Sequence, residues 1–333
     1  MKISIIGAGS FGTAMALVAE RCGNEVMLWA HDARVAEGIR SSRANPLYLP
    51  GALIPDEVWV TNDVEEAATF SDTIFMVVPS HYYREVLTKI RGFLRSPVTV
   101  ISGTKGIENE TLARMSEISA EVLGESLKAF AVLSGPTFAI ETARGDPTAA
   151  VIASSDVESA RTIQQALSCA TFRLYHSSDV VGVELAGSLK NVIAIAAGVL
   201  EGLGLGNNTT AALITRGLHE ITRLSVALGG RMETMAGLAG MGDLVLTCTG
   251  SLSRNRAVGV ALGKGKKLPD ILGEMRAVAE GVKTARSAKE LSDRHQIEMP
   301  IATEMYQVLY GNESPREALQ RLMSRSLKAE AAR

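Results

Sequence analysis

KISIIGAGSFG, residues 2–12, begins with a short β-rich run and ends in the glycine pattern GxGxxG. An apolar helical pattern follows over residues 13–21, and a second β-rich run covers residues 25–30. A dinucleotide-binding fold requires this order of strand, glycine turn, helix and strand. The stretch therefore predicts an α/β domain that binds a dinucleotide.

The three glycines of this turn have separate predicted roles. Gly7 permits the tight bend, Gly9 lets a pyrophosphate approach the backbone, and Gly12 lets the helix pack closely on the strand. The helix N-terminus then directs unpaired N–H groups towards the phosphates. A glycine-rich turn that binds no ligand is the alternative, since GxGxxG alone is a weak signal.

The end of the second strand bears on the choice of cofactor. NAD-specific sites place an acidic residue there for the ribose hydroxyls, and Asp32 lies at that distance. His31 and Arg34 flank Asp32 and could meet a 2′-phosphate, so the sequence favours NADP(H) with NAD(H) tolerated. The competing interpretation is that His31 and Arg34 are solvated loop residues.

Strand and helix patterns alternate up to about residue 180, which predicts an N-terminal Rossmann-like doubly wound α/β domain over residues 1–180. Beyond it the patterns are helical, which predicts a mostly α-helical C-terminal domain over residues 181–333. Further strands are predicted at 58–60, 73–78, 98–102, 129–133, 148–154 and 171–175, and a loop at 45–55. The C-terminal helices are predicted at 184–206, 208–228, 254–262, 269–274, 284–294, 302–310 and 315–325.

Composition restricts the class of protein. A chain of 333 residues favours two domains, and 46% hydrophobic residues suffice for large cores. The net charge of −2 gives no reason to expect nucleic acid or an anionic membrane as a partner. Three scattered cysteines predict no metal site and a reduced cytoplasmic protein, and the start of the chain reads as a strand, not a signal peptide.

The helix predicted at 184–206 (ELAGSLKNVIAIAAGVLEGLGLG) is apolar almost all round and carries one lysine, Lys190. Its charges and amide leave no 18-residue apolar run, so it is not expected to insert in a membrane. A buried lysine has a lowered pKa, which makes Lys190 a candidate for proton transfer. The alternative is that Lys190 forms a structural ion pair with Glu184 or Glu201.

Three other segments carry candidate ligand groups. Lys105 follows a predicted parallel strand, on the edge where α/β sheets bind ligands. Residues 237–250 are predicted as a glycine-rich loop holding a lone acid, Asp243. Ser253, Arg254 and Asn255 then precede a helix, and together with its N-terminus they could bind a phosphate. A plain N-cap and surface arginines are the alternative.

Eight motifs together resemble the bacterial-type NAD(P)-dependent glycerol-3-phosphate dehydrogenases. They occur in unbroken order and extend over residues 1 to about 325. The motifs are GAGSFGT at 7–13, VPS at 78–80, SGTKGIE at 102–108, LSGPTFAIE at 133–141, LKNVIAIAAG at 189–198, AGMGDLVLTC at 239–248, SRNR at 253–256 and VAEGVKT at 278–284.

This resemblance implies the interconversion of sn-glycerol 3-phosphate and dihydroxyacetone phosphate, run mainly as reduction to supply phospholipid synthesis. It implies that Lys190 accepts the proton in oxidation. The implied substrate residues are Lys105, Gly135, Thr137, Lys190, Asp243, Ser253, Arg254 and Asn255. The implied cofactor residues, beside the three glycines, are Ser10, Phe11, His31, Lys105, Ala139, Arg254, Val278 and Glu280.

The sequence is also compatible with two other functions. A 3-hydroxyacid dehydrogenase of similar two-domain build would also use a lysine on an interdomain helix. A non-catalytic NADPH sensor would bind the nucleotide and need no lysine at position 190. For the assembly, a homodimer is the expected default.

Overall fold

The computed structural model of the chain describes residues 1–275, 279–327 and 329–330. The strands in the described residues are β1 (Lys2–Ile6), β2 (Glu25–Trp29), β3 (Ala44–Asn45), β4 (Leu49–Leu53), β5 (Val58–Thr61), β6 (Thr73–Met76), β7 (Val98–Ser102), β8 (Leu127–Ser134), β9 (Thr148–Ala153) and β10 (Phe172–Ser177). All ten precede residue 178, and the elements after it are helical. The predicted fold class, a Rossmann-like α/β part followed by a mostly α part, is confirmed.

The helices that accompany the sheet are α1 (Ser10–Arg21), α2 (Ala33–Ser42), α3 (Val64–Phe70), α4 (Ser80–Arg91), α5 (Met115–Leu123), α6 (Ala139–Arg144) and α7 (Val157–Ala166). Those after the sheet are α8 (Val180–Gly202), α9 (Asn207–Ala227), α10 (Met232–Ala236), α11 (Asp243–Thr249), α12 (Arg254–Gly263), α13 (Leu268–Glu274), α14 (Glu280–Arg294), α15 (Pro300–Tyr310) and α16 (Pro315–Met323).

Eight of the described strands form one sheet in the order β10-β9-β8-β7-β6-β1-β2-β5. From β8 to β5 the strands are parallel, so their carboxyl ends lie along one edge. β9 pairs antiparallel with β8, whereas β10 runs parallel to β9. The chain between β8 and β9 contains only the six-residue α6, and it turns back beside β8 without the long helical crossover of a parallel pair.

Two segments predicted as loops are regular structure. Residues 45–55 include most of the antiparallel pair β3–β4, a second small sheet that the proline-rich sequence did not reveal. Within residues 237–250, a π-helical turn at Leu238–Gly242 leads directly into α11. Glycine disfavours helices, but Gly240 is required there because an added Cβ would lie 2.3 Å from the carbonyl oxygen of Met235.

α8 is the central element of the helical part. It begins and ends four residues earlier than predicted. Its start is fixed by Asp179, which caps the N-terminus by accepting a hydrogen bond from the Gly182 N–H at 2.8 Å. By length and hydropathy α8 resembles a membrane span, but 89% of its most apolar window is buried inside the protein. It packs against α9, α11, α12 and α14. α8 is therefore the core around which the helical part assembles.

Candidate active site

The glycine turn after β1 leaves an opening next to the backbone. Gly7 has a φ of +123°, which favours glycine, and an added Cβ at Gly12 would lie 1.8 Å from the Gly7 carbonyl oxygen. An added Cβ at Gly9 would meet nothing within 4 Å. The turn is thus tight where helix and strand pack, and open at the glycine predicted to face a pyrophosphate.

The N-terminus of α1 adds hydrogen-bond donors to this opening. Gly9 is the N-cap residue, so no side chain satisfies the first N–H groups of the helix. Ser10 follows, and Phe11 packs against the turn after β7, where an added Cβ at Gly103 would lie 3.0 Å from the Phe11 ring. Free N–H groups at a helix N-terminus and an open backbone suit a phosphate group, so the described residues fit a dinucleotide.

The residues after β2 lead directly into α2. Asp32 caps α2, and its carboxylate forms an ion pair with the Arg34 guanidinium at 2.8 Å. Hydrogen bonds from Arg34 lower the pKa of Asp32. The His31 ring lies edge-on to Trp29, with 5.8 Å between ring centroids. Arg34 is the second residue of α2 and its side chain is 91% exposed. It is therefore solvated although it does not lie in a loop, and the preference for NADP(H) stays a prediction.

Lys190 and Asp243, both buried, form one ionic cluster with the partly exposed Lys105. The Lys190 ammonium donates a hydrogen bond to Asp243 Oδ1, and Lys105 Nζ lies 2.7 Å from Asp243 Oδ2. The side chains of Lys190 and Asp243 are 6% and 2% exposed. Two ammonium groups around one carboxylate leave a net positive charge, which favours an anion or a developing alkoxide beside it.

Burial and charge act in opposite directions on Lys190. Desolvation and the neighbouring Lys105 lower its pKa, Asp243 raises it, and the balance places the pKa at about 8. Burial alone would raise the pKa of Asp243, but the two lysines outweigh it and the pKa is lowered. Asp243 therefore stays ionised near neutral pH, while Lys190 can both hold and release a proton.

Three elements bring this cluster together. Lys190 projects from α8, Lys105 follows β7 at the carboxyl edge of the sheet, and Asp243 begins α11 after the π-helical turn. Thr247, one helical turn after Asp243, accepts a hydrogen bond from Lys190 Nζ at 2.8 Å and donates to the Asp243 carbonyl oxygen at 2.6 Å. The cluster therefore spans the boundary between the sheet and the helical part.

The alternative partners proposed for Lys190 are bound elsewhere. Glu184 pairs with Arg114 at 2.8 Å and accepts hydrogen bonds from Ser116. Glu201 pairs with Arg256. The alternative prediction, an ion pair between Lys190 and Glu184 or Glu201, is therefore wrong.

The N-terminus of α12 approaches the cluster through a pair of amides. Asn255 donates to Asn191 Oδ1 at 2.9 Å, and Asn191 follows Lys190 in α8. The Asn255 Oδ1 accepts from the Gly281 N–H, also at 2.9 Å. Ser253 is the N-cap residue of α12, which is the alternative that the sequence offered for it, and Arg254 is the first residue of the helix. These contacts join the N-terminus of α12 to the residue of α8 that follows Lys190.

The turn after β8 faces the same cluster. Gly135 has a φ of +150°, and an added Cβ would lie 2.9 Å from the Ala150 Cα. Thr137 donates to the Gly135 carbonyl oxygen at 3.1 Å, and Ala139 begins α6. Ser134, the last residue of β8, donates to Asp243 Oδ2 at 3.3 Å. The end of β8 therefore contacts the acid that binds both lysines.

Glu280 connects the helical part to the sheet. Its carboxylate accepts hydrogen bonds from the Ser80 N–H at 3.0 Å and the Ser80 hydroxyl at 2.6 Å. Burial raises the pKa of Glu280, although Ser80 and the nearby Arg254 oppose this. Val278, also implied as a cofactor residue, lies outside the described residues. Glu280 thus stands next to the carboxyl end of β6, at the sheet edge that holds the glycine turn.

Sequence reasoning missed several residues of this site. Thr247 lies in a segment that the sequence predicted as a loop. If residues 243–249 had been predicted as a helix, Thr247 would have been expected one turn after Asp243. Asn191 is adjacent to Lys190, but its partner lies 64 residues away. Ser80 and Ser134 could have been found from their positions at or just after the carboxyl ends of strands, the edge where α/β sheets bind ligands. Within the residues that the structure describes, no group of three or more His, Cys, Asp and Glu converges as a metal site.

A sheet with a dinucleotide turn and a buried lysine at the same edge defines the class of nicotinamide-dependent dehydrogenases, in which the protein handles the proton that accompanies hydride transfer. Family models agree: the N-terminus of NAD-dependent glycerol-3-phosphate dehydrogenase matches residues 2–160 and its C-terminus matches residues 179–320. The chain belongs to the NAD-dependent glycerol-3-phosphate dehydrogenase family.

Individual relatives extend over the whole chain. A glycerol-3-phosphate dehydrogenase (NAD(P)+) of Geobacter sulfurreducens is 52% identical over 99% of this chain and 98% of its own length. The enzyme of the same name from Myxococcus xanthus is 51% identical over 100% of this chain and 99% of its own. The crystal structure of glycerol-3-phosphate dehydrogenase from Coxiella burnetii superposes with a TM-score of 0.94 at 38% identity, covering 97% of this chain and 99% of that one. The resemblance noted from the motifs is confirmed.

Proposed function

We propose that this chain is an NAD(P)-dependent oxidoreductase that interconverts sn-glycerol 3-phosphate and dihydroxyacetone phosphate, with Lys190 as its proton donor and acceptor. The observation that carries the proposal is the buried Lys190–Asp243 pair at the edge of the sheet that also holds the dinucleotide turn. The family models match glycerol-3-phosphate dehydrogenase along the chain, so the alternative of a 3-hydroxyacid dehydrogenase is not retained.

The cofactor would supply or accept the hydride when it is bound. The open backbone at Gly9 and the N-terminus of α1, with Ser10 and Phe11, would bind its pyrophosphate. His31 would lie near the adenosine end, and Glu280 with Arg254 would border the cleft from the helical part.

Lys190 would handle the proton. In the direction of reduction, its ammonium donates a proton to the oxygen of the former carbonyl group. In the direction of oxidation, the neutral amine accepts the hydroxyl proton of glycerol 3-phosphate. Asp243 orients the Lys190 Nζ through their hydrogen bond, and Lys105 adds positive charge that favours the alkoxide.

The substrate phosphate would bind at the N-terminus of α12. Ser253 and Arg254 offer a helix terminus and a guanidinium, and Asn255 holds this end of α12 against α8. Gly135 and Thr137 would close the opposite side of the substrate, next to Ser134 and Asp243. This arrangement separates the phosphate from the reacting carbon.

The two domains comprise residues 1–180 and 181–333, a boundary at the first residue of α8. The enzyme acts in the cytoplasm, mainly in the direction of reduction, and supplies glycerol phosphate for phospholipid synthesis. It forms a homodimer. It binds no nucleic acid and inserts in no membrane, which fits the burial of α8 and the net charge of −2.

A steady-state assay tests this function. Purified protein should oxidise NADPH only after dihydroxyacetone phosphate is added. The same assay with NADH gives a second rate, and the ratio of the two rates measures the cofactor preference. Unphosphorylated dihydroxyacetone serves as the control for the phosphate site and should turn over far more slowly. Absence of turnover with both cofactors would contradict the proposal.

A further inference from the structure

The small β3–β4 sheet lies against the glycine turn. Asn45, the last residue of β3, is 1% exposed, and Leu49, the first residue of β4, is 2% exposed. The Ser10 hydroxyl donates to the Tyr48 carbonyl oxygen at 2.5 Å, between the two strands. This hairpin therefore covers the turn predicted to bind the cofactor, although it contains no residue of the predicted site.

Asn45 contacts the turn directly. Its Nδ2 donates one hydrogen bond to the Ala8 carbonyl oxygen and another to the Thr13 hydroxyl, both at 2.9 Å. Its Oδ1 accepts from the Tyr48 N–H at 3.3 Å. The amide thus uses both of its N–H groups on the turn and its oxygen on its own hairpin.

The hydrogen bond from Asn45 to the Ala8 carbonyl oxygen also fixes the direction of the Gly9 N–H. The carbonyl of Ala8 and the N–H of Gly9 belong to one planar trans peptide unit, in which they point in opposite directions. Fixing the carbonyl towards Asn45 therefore directs the Gly9 N–H away from the hairpin. The space beside Gly9 is open, with nothing within 4 Å of an added Cβ.

We propose that Asn45 is a positioning residue for the cofactor, and that it holds the Ala8–Gly9 peptide in the orientation that binds the pyrophosphate. The inference rests on the proposed function, since it assumes a nicotinamide dinucleotide in this turn. Asn45 touches the turn and not the cofactor, so it acts on cofactor affinity and not on proton or hydride transfer.

The test compares two asparagines at opposite ends of α1. Asn45→Asp keeps the shape but replaces the donor with a carboxylate oxygen. Asn24→Asp is the matched control, because Asn24 Nδ2 also donates two hydrogen bonds, in this case to the carbonyl oxygens of Ala19 and Ala166, far from the turn. NADPH fluorescence titration gives the dissociation constant, steady-state kinetics give kcat and KM, and thermal melts report folding.

Asn45→Asp should raise the dissociation constant and KM of NADPH by about 10- to 100-fold, the effect of losing a buried hydrogen bond. Its kcat and its KM for dihydroxyacetone phosphate should stay within roughly twofold, since the proton and phosphate groups are untouched. Asn24→Asp should leave cofactor affinity unchanged even where its melting temperature falls.

An unchanged NADPH dissociation constant in folded Asn45→Asp protein would overturn the inference, and so would an equal loss in Asn24→Asp. If Asn45→Asp does not fold, Asn45→Ala decides: it removes the donor to the Ala8 carbonyl oxygen without adding a charge, and cofactor affinity should fall while kcat stays the same. Wild-type affinity in folded Asn45→Ala would then overturn the inference. Failure of the proposed function would look different, because the wild-type protein itself would not turn over dihydroxyacetone phosphate.

Discussion

Lys190 combines two properties that a surface lysine lacks. Its burial lowers the pKa to about 8, and Asp243 and Thr247 fix the position of its Nζ. The sequence identified Lys190 because one lysine in an apolar helix must either be paired or change its pKa. Asp243 was also among the candidate groups, but no local pattern specifies its pairing with Lys190, because it lies 53 residues away and the intervening chain folds through α9 and α10.

The pKa of Lys190 predicts opposite pH profiles for the two directions of the reaction. Reduction needs the ammonium, so kcat/KM should be full below pH 8 and fall as the pH rises through about 8. Oxidation needs the neutral amine, so its kcat/KM should rise through the same pH range. Steady-state rates from pH 6 to 10, at roughly half-unit steps, give both profiles.

Lys190→Arg is the control for this prediction, because the guanidinium stays protonated throughout the range. The inflection near pH 8 should disappear in this variant. An unshifted inflection in both directions would assign the titration to another group.

At the scale of elements, α8 and α12 pack through glycines on both helices. An added Cβ at Gly198 would lie 2.0 Å from the Arg256 carbonyl oxygen, and one at Gly259 would lie 1.9 Å from that of Ile195. The glycines of α8 and α12 thus allow the two helix backbones to lie in close contact. The identity of α12 as the partner could not be predicted, since no local pattern specifies which helix fills the groove.

Gly198→Ala should therefore separate α8 from α12. Overpacking of this kind costs about 1–3 kcal/mol of folding free energy, and the displaced N-terminus of α12 should raise the KM for dihydroxyacetone phosphate. Denaturant unfolding and steady-state kinetics measure the two effects.

Gly273→Ala in α13 is the matched control, because an added Cβ there meets nothing within 4 Å. It should keep the wild-type KM and be neutral or slightly stabilising, since alanine favours helices. Equal behaviour of the two variants would refute the close packing of α8 on α12.

At the scale of the whole molecule, the site depends on contacts between the sheet and the helical part. The order of strands and helices, and most of their bounds, could be predicted because apolar periodicity and turn residues are local signals. The reversed strand β9, the β3–β4 hairpin and the Ser80–Glu280 contact could not, because each depends on where distant segments meet. Glu280 entered the predicted site by family resemblance alone.

The Ser80–Glu280 contact gives a pH-dependent prediction for stability. Burial raises the folded-state pKa of Glu280, and Ser80 stabilises its ionised form. Ser80→Ala removes the hydroxyl donor, so its destabilisation should be full where Glu280 is ionised, above the raised pKa. It should shrink as the pH falls and the carboxylate becomes protonated.

Ser154→Ala is a suitable control, since Ser154 donates to the Phe130 carbonyl oxygen at 2.6 Å and not to a carboxylate. Its destabilisation should not change with pH over the same range. Urea unfolding between pH 4 and 8 distinguishes the two, and a pH-independent loss in Ser80→Ala would count against an ionised Glu280 at this contact.

The central claim is that a bound nicotinamide cofactor and the buried Lys190 act together in one cleft. Lys190→Met tests it most directly, with NADPH affinity and reduction of dihydroxyacetone phosphate measured on the same folded protein. NADPH affinity should stay within a few-fold of wild type, while kcat should fall by about 10²–10⁴, the usual contribution of a general acid. Turnover close to wild type would contradict the account, and it would favour a protein that binds the nucleotide without using this lysine.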